Sequence, residues 1–136
     1  MDQIIYISTA RSEPTPQSIE HILRTSRWNN KRDELTGLLI VGGKRFLQVL
    51  EGPRHSLDAA YCRIGADARH FALVQLSRKP IITRSFPDWE MGYQAGPDAD
   101  TVEDLAKVVA RLTRGVDDPF LRAELNGFAA LHSRAA

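Results

Sequence analysis

Tyr6 and Gln48 are uncharged polar side chains on otherwise apolar segments. The strand that we predict around Gln48 places its amide on the same face as Phe46 and Leu50, so we expect the amide to be buried. A buried amide without a partner costs about 1–3 kcal/mol, and a buried tyrosine hydroxyl normally has a partner as well. Tyr6 is therefore our candidate partner for Gln48, provided that it faces the same side of the sheet.

A pocket is predicted where the polar end of the first helix lies over Tyr6 and Gln48. Its polar groups are amides and hydroxyls without a carboxylate, which suits a flat, apolar ligand with amide-like edges and does not suit a metal or phosphoryl transfer. The alternative is that Gln48 and Asn30 hydrogen-bond only each other or the backbone. The side chains expected around this floor are Ser26, Asn29 and Asn30 at the helix end, with Ile22 and Ile64 as walls.

Other chemistries find little support in the sequence. The four histidines lack the spacing of metal ligands, and no serine stands in a G-x-S-x-G setting. With 18 basic and 17 acidic residues the net charge is +1, which argues against nucleic-acid binding. Cys62 is the single cysteine, and no secretory leader or long apolar stretch is visible, so we expect a cytoplasmic protein that does not enter a membrane.

The hydrophobic pattern predicts the element order βαββαββ, which indicates an α/β (α+β) sandwich of the ferredoxin-like kind with a mixed five-stranded sheet. In that topology the first and third strands are neighbours, and both helices cover one face. The last strand is expected to hold Trp89, Met91 and Tyr93 on one side. The predicted strands are 4–7, 35–41, 45–50, 72–76 and 89–93, and the helices begin at Thr15-Pro16 and Gly52-Pro53.

Two short amphipathic helices are predicted after a loop at 95–98. The first begins with a capping-box variant at 101–104, and the second begins at Asp118-Pro119. We therefore divide the chain into a core domain, 1–95, and a helical appendage, 100–136. The appendage is too small to fold alone, so we expect it to pack on the core, with the open face of the sheet as the receiving surface.

Six segments in register resemble the family of BLUF domains, which sense blue light with FAD. Together they cover residues 3–94 and place tyrosine, asparagine and glutamine at the family's intervals. The resemblance raises the pocket hypothesis above its alternative. The segments are 5–8, 26–30, 35–39, 46–53, 63–70 and 84–92.

The resemblance implies a flavin between the two helices, with its ring system sandwiched by Ile22 and Ile64. Asn30 would bond the pyrimidine edge with Asn29 near by, and Gln48 would bridge Tyr6 and the flavin N5/O4 edge. FAD is the cofactor implied, while FMN and riboflavin stay open. Arg63, Asp67, Arg69 and His70 would hold the polar edge of the flavin and its ribityl-phosphate side. The full implied binding set is Ile22, Ser26, Asn29, Asn30, Phe46, Gln48, Arg63, Ile64, Asp67, Arg69 and His70.

The resemblance also implies a photochemical role without enzymatic turnover. Tyr6 would give an electron and a proton to the excited flavin, and Gln48 would end rotated or tautomerised with a new bond to flavin O4, which shifts absorption to the red. Trp89 and Met91 would relay the change to the C-terminal helices. We expect the output to go to a downstream signalling protein or through self-assembly as a homo-oligomer.

Two other functions stay open from the residues alone. A ferredoxin-like hydrolase of acyl phosphates could use Asn30 to position water, although the loop at 9–13 lacks the glycines that wrap a phosphate. The other is a plain interaction domain without a flavin. Colour separates the three, because only a flavin sensor would purify yellow.

Overall fold

A computed structural model of the chain describes residues 1–95 and 105–132. The elements alternate between strands and helices up to residue 95 and are helical afterwards. They are β1 (Asp2–Ala10), α1 (Pro16–Arg32), β2 (Thr36–Gly42), β3 (Arg45–Gly52), α2 (Arg54–Gly65), β4 (His70–Pro80), β5 (Gly92–Ala95), α3 (Leu105–Leu112), a 3₁₀ turn (Thr113–Gly115) and α4 (Pro119–Leu131).

The five strands form one sheet in the order β4-β1-β3-β2-β5. All neighbours are antiparallel except β2 and β5, which run parallel, so the sheet is mixed. β1 and β3 are central neighbours, as the sequence predicted. The ferredoxin-like α+β fold is therefore confirmed.

Helices α1 and α2 pack on one face of this sheet. Thr15 begins α1 with a reciprocal capping box, in which its hydroxyl accepts from the Ser18 backbone amide at 3.1 Å and the Ser18 hydroxyl accepts from the Thr15 amide at 2.9 Å. Pro16 follows at the first helical position, where its missing N–H costs nothing. The apolar sides of both helices meet alternate residues of β1 and β3. The buried residues of this layer include Ile4, Tyr6, Ile19, Leu39, Leu50, Leu57 and Ala60.

Helices α3 and α4 cover the opposite face, which confirms that the C-terminal helices pack on the core. Asp118 caps α4 by accepting from the backbone amides of Phe120 and Leu121. The predicted capping box at 101–104 lies outside the described residues, and the boundary between a core domain and an appendage stays a prediction. The buried residues shared by this layer and the sheet include Ile5, Leu38, Val49, Leu105, Val109, Leu121 and Leu125.

The fifth strand is shorter than predicted, because it begins at Gly92 instead of residue 89. Side chains of α1 take the backbone acceptors that a longer ladder would use: Glu90 O accepts from Asn30 Nδ2, and Met91 O accepts from Arg27 Nε. The prediction that Trp89 and Met91 share one side is wrong. Met91 is buried among the residues below α1 and α2, whereas Trp89 stacks on Phe86, which belongs to the opposite layer.

Candidate functional site

A cavity of about 210 Å³ lies between helices α1 and α2 and the sheet. Tyr6 and every residue that the sequence analysis assigned to the flavin lie on its wall. Within residues 1–95 and 105–132, no three histidine, cysteine or carboxylate groups come together as a metal site. The predicted lining residues are Tyr6, Ile22, Ser26, Asn29, Asn30, Phe46, Gln48, Arg63, Ile64, Asp67, Arg69 and His70.

Tyr6 and Gln48 form the floor of the cavity from neighbouring strands. Their Cα atoms are register partners on β1 and β3, and both side chains are buried. The Tyr6 hydroxyl has no hydrogen-bond partner among the described residues. Burial raises the pKa of Tyr6 well above its usual range, which keeps the phenol protonated. A buried hydroxyl left unpaired beside a cavity fits a ligand that brings a polar edge.

Gln48 has a different partner from the one predicted. Its Nε2 donates to the sulfur of Met91 across 3.5 Å, and no bond joins it to Tyr6 in the described part of the chain. The thioether of Met91 lies within reach of the amide because residue 91 enters the layer below α1 just before β5 begins. The amide is thus held by a weak acceptor.

The polar end of α1 closes one side of the cavity. Asn30 is 4% exposed, and its Nδ2 donates to Glu90 O at 2.6 Å. That bond to the backbone agrees with the alternative raised for Asn30 from the sequence. Ser26 and Asn29 are half-buried on the same wall. This side of the cavity therefore offers amide and hydroxyl groups without a charge.

Charged groups gather at the other side, where α2 ends and β4 begins. Arg69 forms an ion pair with Asp67 at 2.5 Å, and the hydrogen bond from Arg69 holds the pKa of the Asp67 carboxyl below its usual range. His70 Nε2 lies 2.6 Å from Ile64 O. Arg63 is exposed, 3.8 Å from a carboxylate oxygen of Asp33. The Asp67 carboxylate also lies on the cavity wall, so the expectation of a pocket without a carboxylate is wrong. A neutral interior with arginines near its rim suits a planar ligand that carries an anionic tail.

Eight further lining residues were missed from the sequence. Ser8 and Ala10 follow Tyr6 at two-residue spacing on β1, so the alternation of a strand could have found them. Ser12 and Pro14 lie on the loop after β1, where no periodicity applies. The complete missed set is Ser8, Ala10, Ser12, Pro14, Ser18, Thr25, Leu39 and Leu50.

Comparison with known proteins gives a family model that matches residues 1–92, described as BLUF, sensors of blue-light using FAD. The beta subunit of a photoactivated adenylate cyclase from Euglena gracilis is 31% identical over 91 residues, which is 65% of this chain and 11% of that protein. The blue light- and temperature-regulated antirepressor BluF of Escherichia coli K12 is 33% identical over 73 residues, 54% of this chain and 18% of the relative. The chain thus spans less than a fifth of either relative.

Solved structures agree with these matches. The dark-state structure of BlrB, a BLUF protein, is 32% identical with a TM-score of 0.73, and the match covers 96% of both chains. The structure of a bacterial light-regulated adenylyl cyclase gives 27% identity and a TM-score of 0.71, covering 96% of this chain and 35% of the cyclase. Separately, none of the helices within 1–95 and 105–132 is long and apolar enough to cross a membrane.

Proposed function

The chain belongs to the BLUF family of blue-light sensors that use FAD, and from that premise we propose that Tyr6 and Gln48 perform its photochemistry. The observation that carries this proposal is the buried Tyr6 hydroxyl, which lacks a partner at the floor of the cavity. A bound flavin supplies absorption of blue light and a site that accepts an electron. The residues around it then determine what happens to the proton and to the hydrogen bonds.

Tyr6 is the electron and proton donor in this proposal. The ring is 1% exposed, and burial keeps the phenol neutral, so that the hydroxyl proton is present when light arrives. Tyr61 packs edge-on against Tyr6 at 5.6 Å between centroids. That contact, together with the antiparallel pairing to β3, holds the phenol at the cavity floor.

Gln48 is the group that switches. Its amide carries a donor and an acceptor on one short side chain, so rotation or tautomerisation presents a different pattern to the same neighbours. In the structure the amide N–H donates to the Met91 sulfur. Because a thioether is a weak acceptor, exchanging this bond for one toward the cavity costs little.

The walls hold the cofactor. We assign Ile22 and Ile64 to the two faces of the ring system, and Asn29 and Asn30 with Ser26 to its polar edge. Cations near the rim suit the phosphate side, where Arg63 and Arg69 are exposed. FAD is the flavin proposed, and its phosphates would be the anionic tail.

The signal leaves through the segment between β4 and β5. Met91 contacts Gln48, and Trp89 stacks on Phe86, which packs in the layer of α3 and α4. The two side chains therefore face opposite layers, which suits a relay from the cavity to the C-terminal helices. We propose a partner protein or a second copy of the chain as the receiver of the signal.

We propose the cytoplasm as the location of the protein. Cys62 is free and exposed, which fits a reducing compartment.

The test is the visible spectrum of the purified protein in the dark and just after blue light. We expect flavin bands that shift slightly to the red and return in the dark. Gln48→Leu and Tyr6→Phe should bind flavin and lose the shift. Gln75→Leu is the matched control, because Gln75 is the exposed register partner of Tyr6 on β4 and should leave the shift intact. Flavin that bleaches, or a protein that takes up no flavin, would contradict the proposal.

A further inference from the structure

A buried carboxylate lies on the opposite face of the sheet from the cavity. Glu51 is 0% exposed near the end of β3. Its Oε2 accepts from Gln3 Nε2 at 2.9 Å and from the Ser85 backbone amide at 3.0 Å, and its Oε1 accepts from the Phe86 amide at 2.8 Å. Burying a carboxylate is costly unless such donors surround it. Two of the three donors belong to the backbone of the segment between β4 and β5.

The pair of Glu51 and Gln3 matches the pair of Gln48 and Tyr6 along the same two strands. Gln3 and Glu51 are register partners on β1 and β3, three residues along from Tyr6 and Gln48. An odd separation on a strand places side chains on opposite faces. The central strands thus carry one polar pair below the cavity and one on the other side.

Both pairs contact the same segment. Glu51 holds it at Ser85 and Phe86, and Gln48 contacts it at Met91. Between these points the ring of Phe86 stacks on Trp89, with centroids 5.7 Å apart and planes 10° from parallel. A shift of the backbone at Phe86 would therefore be passed through the stacked rings toward Met91.

We propose that Glu51 is a positioning residue for the Gln48 switch: it fixes the middle of this segment at Ser85 and Phe86 and so places the Met91 sulfur beside the Gln48 amide. This inference builds on the proposed function of Gln48. In this proposal the bond from Gln48 to Met91 belongs to the dark arrangement and begins to re-form in the transition state of the return from the lit state, so a misplaced sulfur raises the barrier to that return. Glu51 would then control the lifetime of that state from outside the cavity.

The test variant is Glu51→Gln. A carboxylate has two acceptor oxygens, whereas a glutamine amide has one and turns its NH₂ toward an N–H donor. The chain has two methionines, exposed Met1 and buried Met91, so methyl-13C labelling gives two signals, and Met91→Leu assigns them. We expect Glu51→Gln to move the Met91 signal in the dark protein and to slow dark recovery by up to about fivefold, which is the factor that one ordinary hydrogen bond supplies and an upper bound for a bond to a thioether.

Asp2→Asn is the matched control. Asp2 is a carboxylate on the neighbouring strand β1, 7% exposed, but its partners are Arg54 and Arg78 and not the segment that holds Met91. We expect it to leave the Met91 signal and the recovery rate unchanged even where the melting temperature falls. If Glu51→Gln does not fold, Glu51→Asp replaces it as the test variant, because the shorter side chain keeps the charge but withdraws it from the amides of Ser85 and Phe86.

A double variant separates positioning from general stability. If Glu51 acts through Met91, Glu51→Gln has no further effect on recovery in a Met91→Leu background. Additive effects there would overturn the inference, as would an unmoved Met91 signal in Glu51→Gln or equal changes in Asp2→Asn. Failure of the wild-type protein to shift to the red would refute the proposed function instead, while the Met91 signal in the dark still tests the placement.

Discussion

Tyr6 and Gln48 lie opposite each other on β1 and β3, and among the described residues the Gln48 amide has a side-chain hydrogen-bond partner whereas the Tyr6 hydroxyl has none. Because the Gln48 amide donates to Met91 and not to Tyr6, the phenol hydroxyl is available to hydrogen-bond a ligand in the cavity. A small fold rarely buries a hydroxyl without a partner. The unpaired phenol is therefore best understood as a group kept for the ligand.

Tyr6→Phe should leave the flavin-free protein as stable as the wild type or more stable. An unpaired buried hydroxyl costs about 1–3 kcal/mol, and the substitution removes it without leaving a cavity. Urea unfolding of flavin-free protein measures this, with Tyr61→Phe as the control on a ring that is less buried and contacts Tyr6 edge-on. A clear loss of stability in Tyr6→Phe alone would mean that the hydroxyl has a partner in the flavin-free protein.

The floor of the site could be predicted because strand alternation fixes it. Alternation put Gln48 on the face of Phe46 and Leu50, the side of Tyr6 remained a condition, and the structure places both side chains on that face. The partner of Gln48 could not be predicted in the same way. Met91 reaches it through a segment whose path depends on contacts with Gly37, Arg27 and Glu51, all distant in sequence.

The limits of β5 were misjudged for the same reason. Apolar residues alternate from Trp89 to Tyr93, which is typical of a strand, but side chains from α1 occupy the backbone acceptors before residue 92. In contrast, the start of α4 was predicted well, because Asp118 and Pro119 determine it locally. Local signals are readable in a sequence, whereas side chains that cap another element's backbone are not.

Asn30→Ala should destabilise the protein, whereas Asn29→Ala should not. The Nδ2 of Asn30 donates to Glu90 O at 2.6 Å, and its removal leaves that carbonyl without this donor, at a cost of about 1–3 kcal/mol. Both substitutions raise helix propensity equally at the end of α1, so the comparison cancels that effect. Urea unfolding of flavin-free protein gives both values. Equal stabilities would show that the bond to Glu90 contributes nothing.

Asp118 should make the stability of the protein depend on acid pH. Burial opposes its ionisation, but the Lys79 ammonium and the amides at the start of α4 lower the pKa of its carboxyl below the usual value. A lowered folded pKa means that the stabilisation is complete above the unfolded pKa, about 3.9, and is lost as the pH falls through the folded value. Asp118→Asn should therefore flatten the fall in unfolding free energy between pH 5 and pH 3, because it removes the contribution of one titrating carboxyl group.

Asp117→Asn provides the control for that experiment, since it removes the same charge from the exposed neighbour. Asp118→Ala should cost more than Asp118→Asn at pH 7, because it also removes the cap of α4, which is worth about 0.5–2 kcal/mol. If Asp117→Asn flattens the profile as much as Asp118→Asn, net charge and not the bond to Lys79 causes the dependence.

Leu125→Ala tests whether α4 belongs to the same cooperative unit as the sheet. Leu125 is 0% exposed and packs in the layer shared with Ile5 and Val49, so its truncation should lower the free energy of unfolding by about 2–5 kcal/mol. Leu131 lies on the same helix but is 76% exposed, and Leu131→Ala should change stability by less than about 0.5 kcal/mol. The measurement is urea unfolding followed by far-UV circular dichroism and by tryptophan fluorescence in a Trp28→Phe background, where the emission comes from Trp89, which stacks on Phe86 of that layer. Coincident transitions with a loss confined to Leu125→Ala are expected, because the helix and the sheet bury one core. An early circular-dichroism transition in Leu125→Ala, with the fluorescence transition unmoved, would instead make α4 a separate unit that can leave the sheet while the rest stays folded.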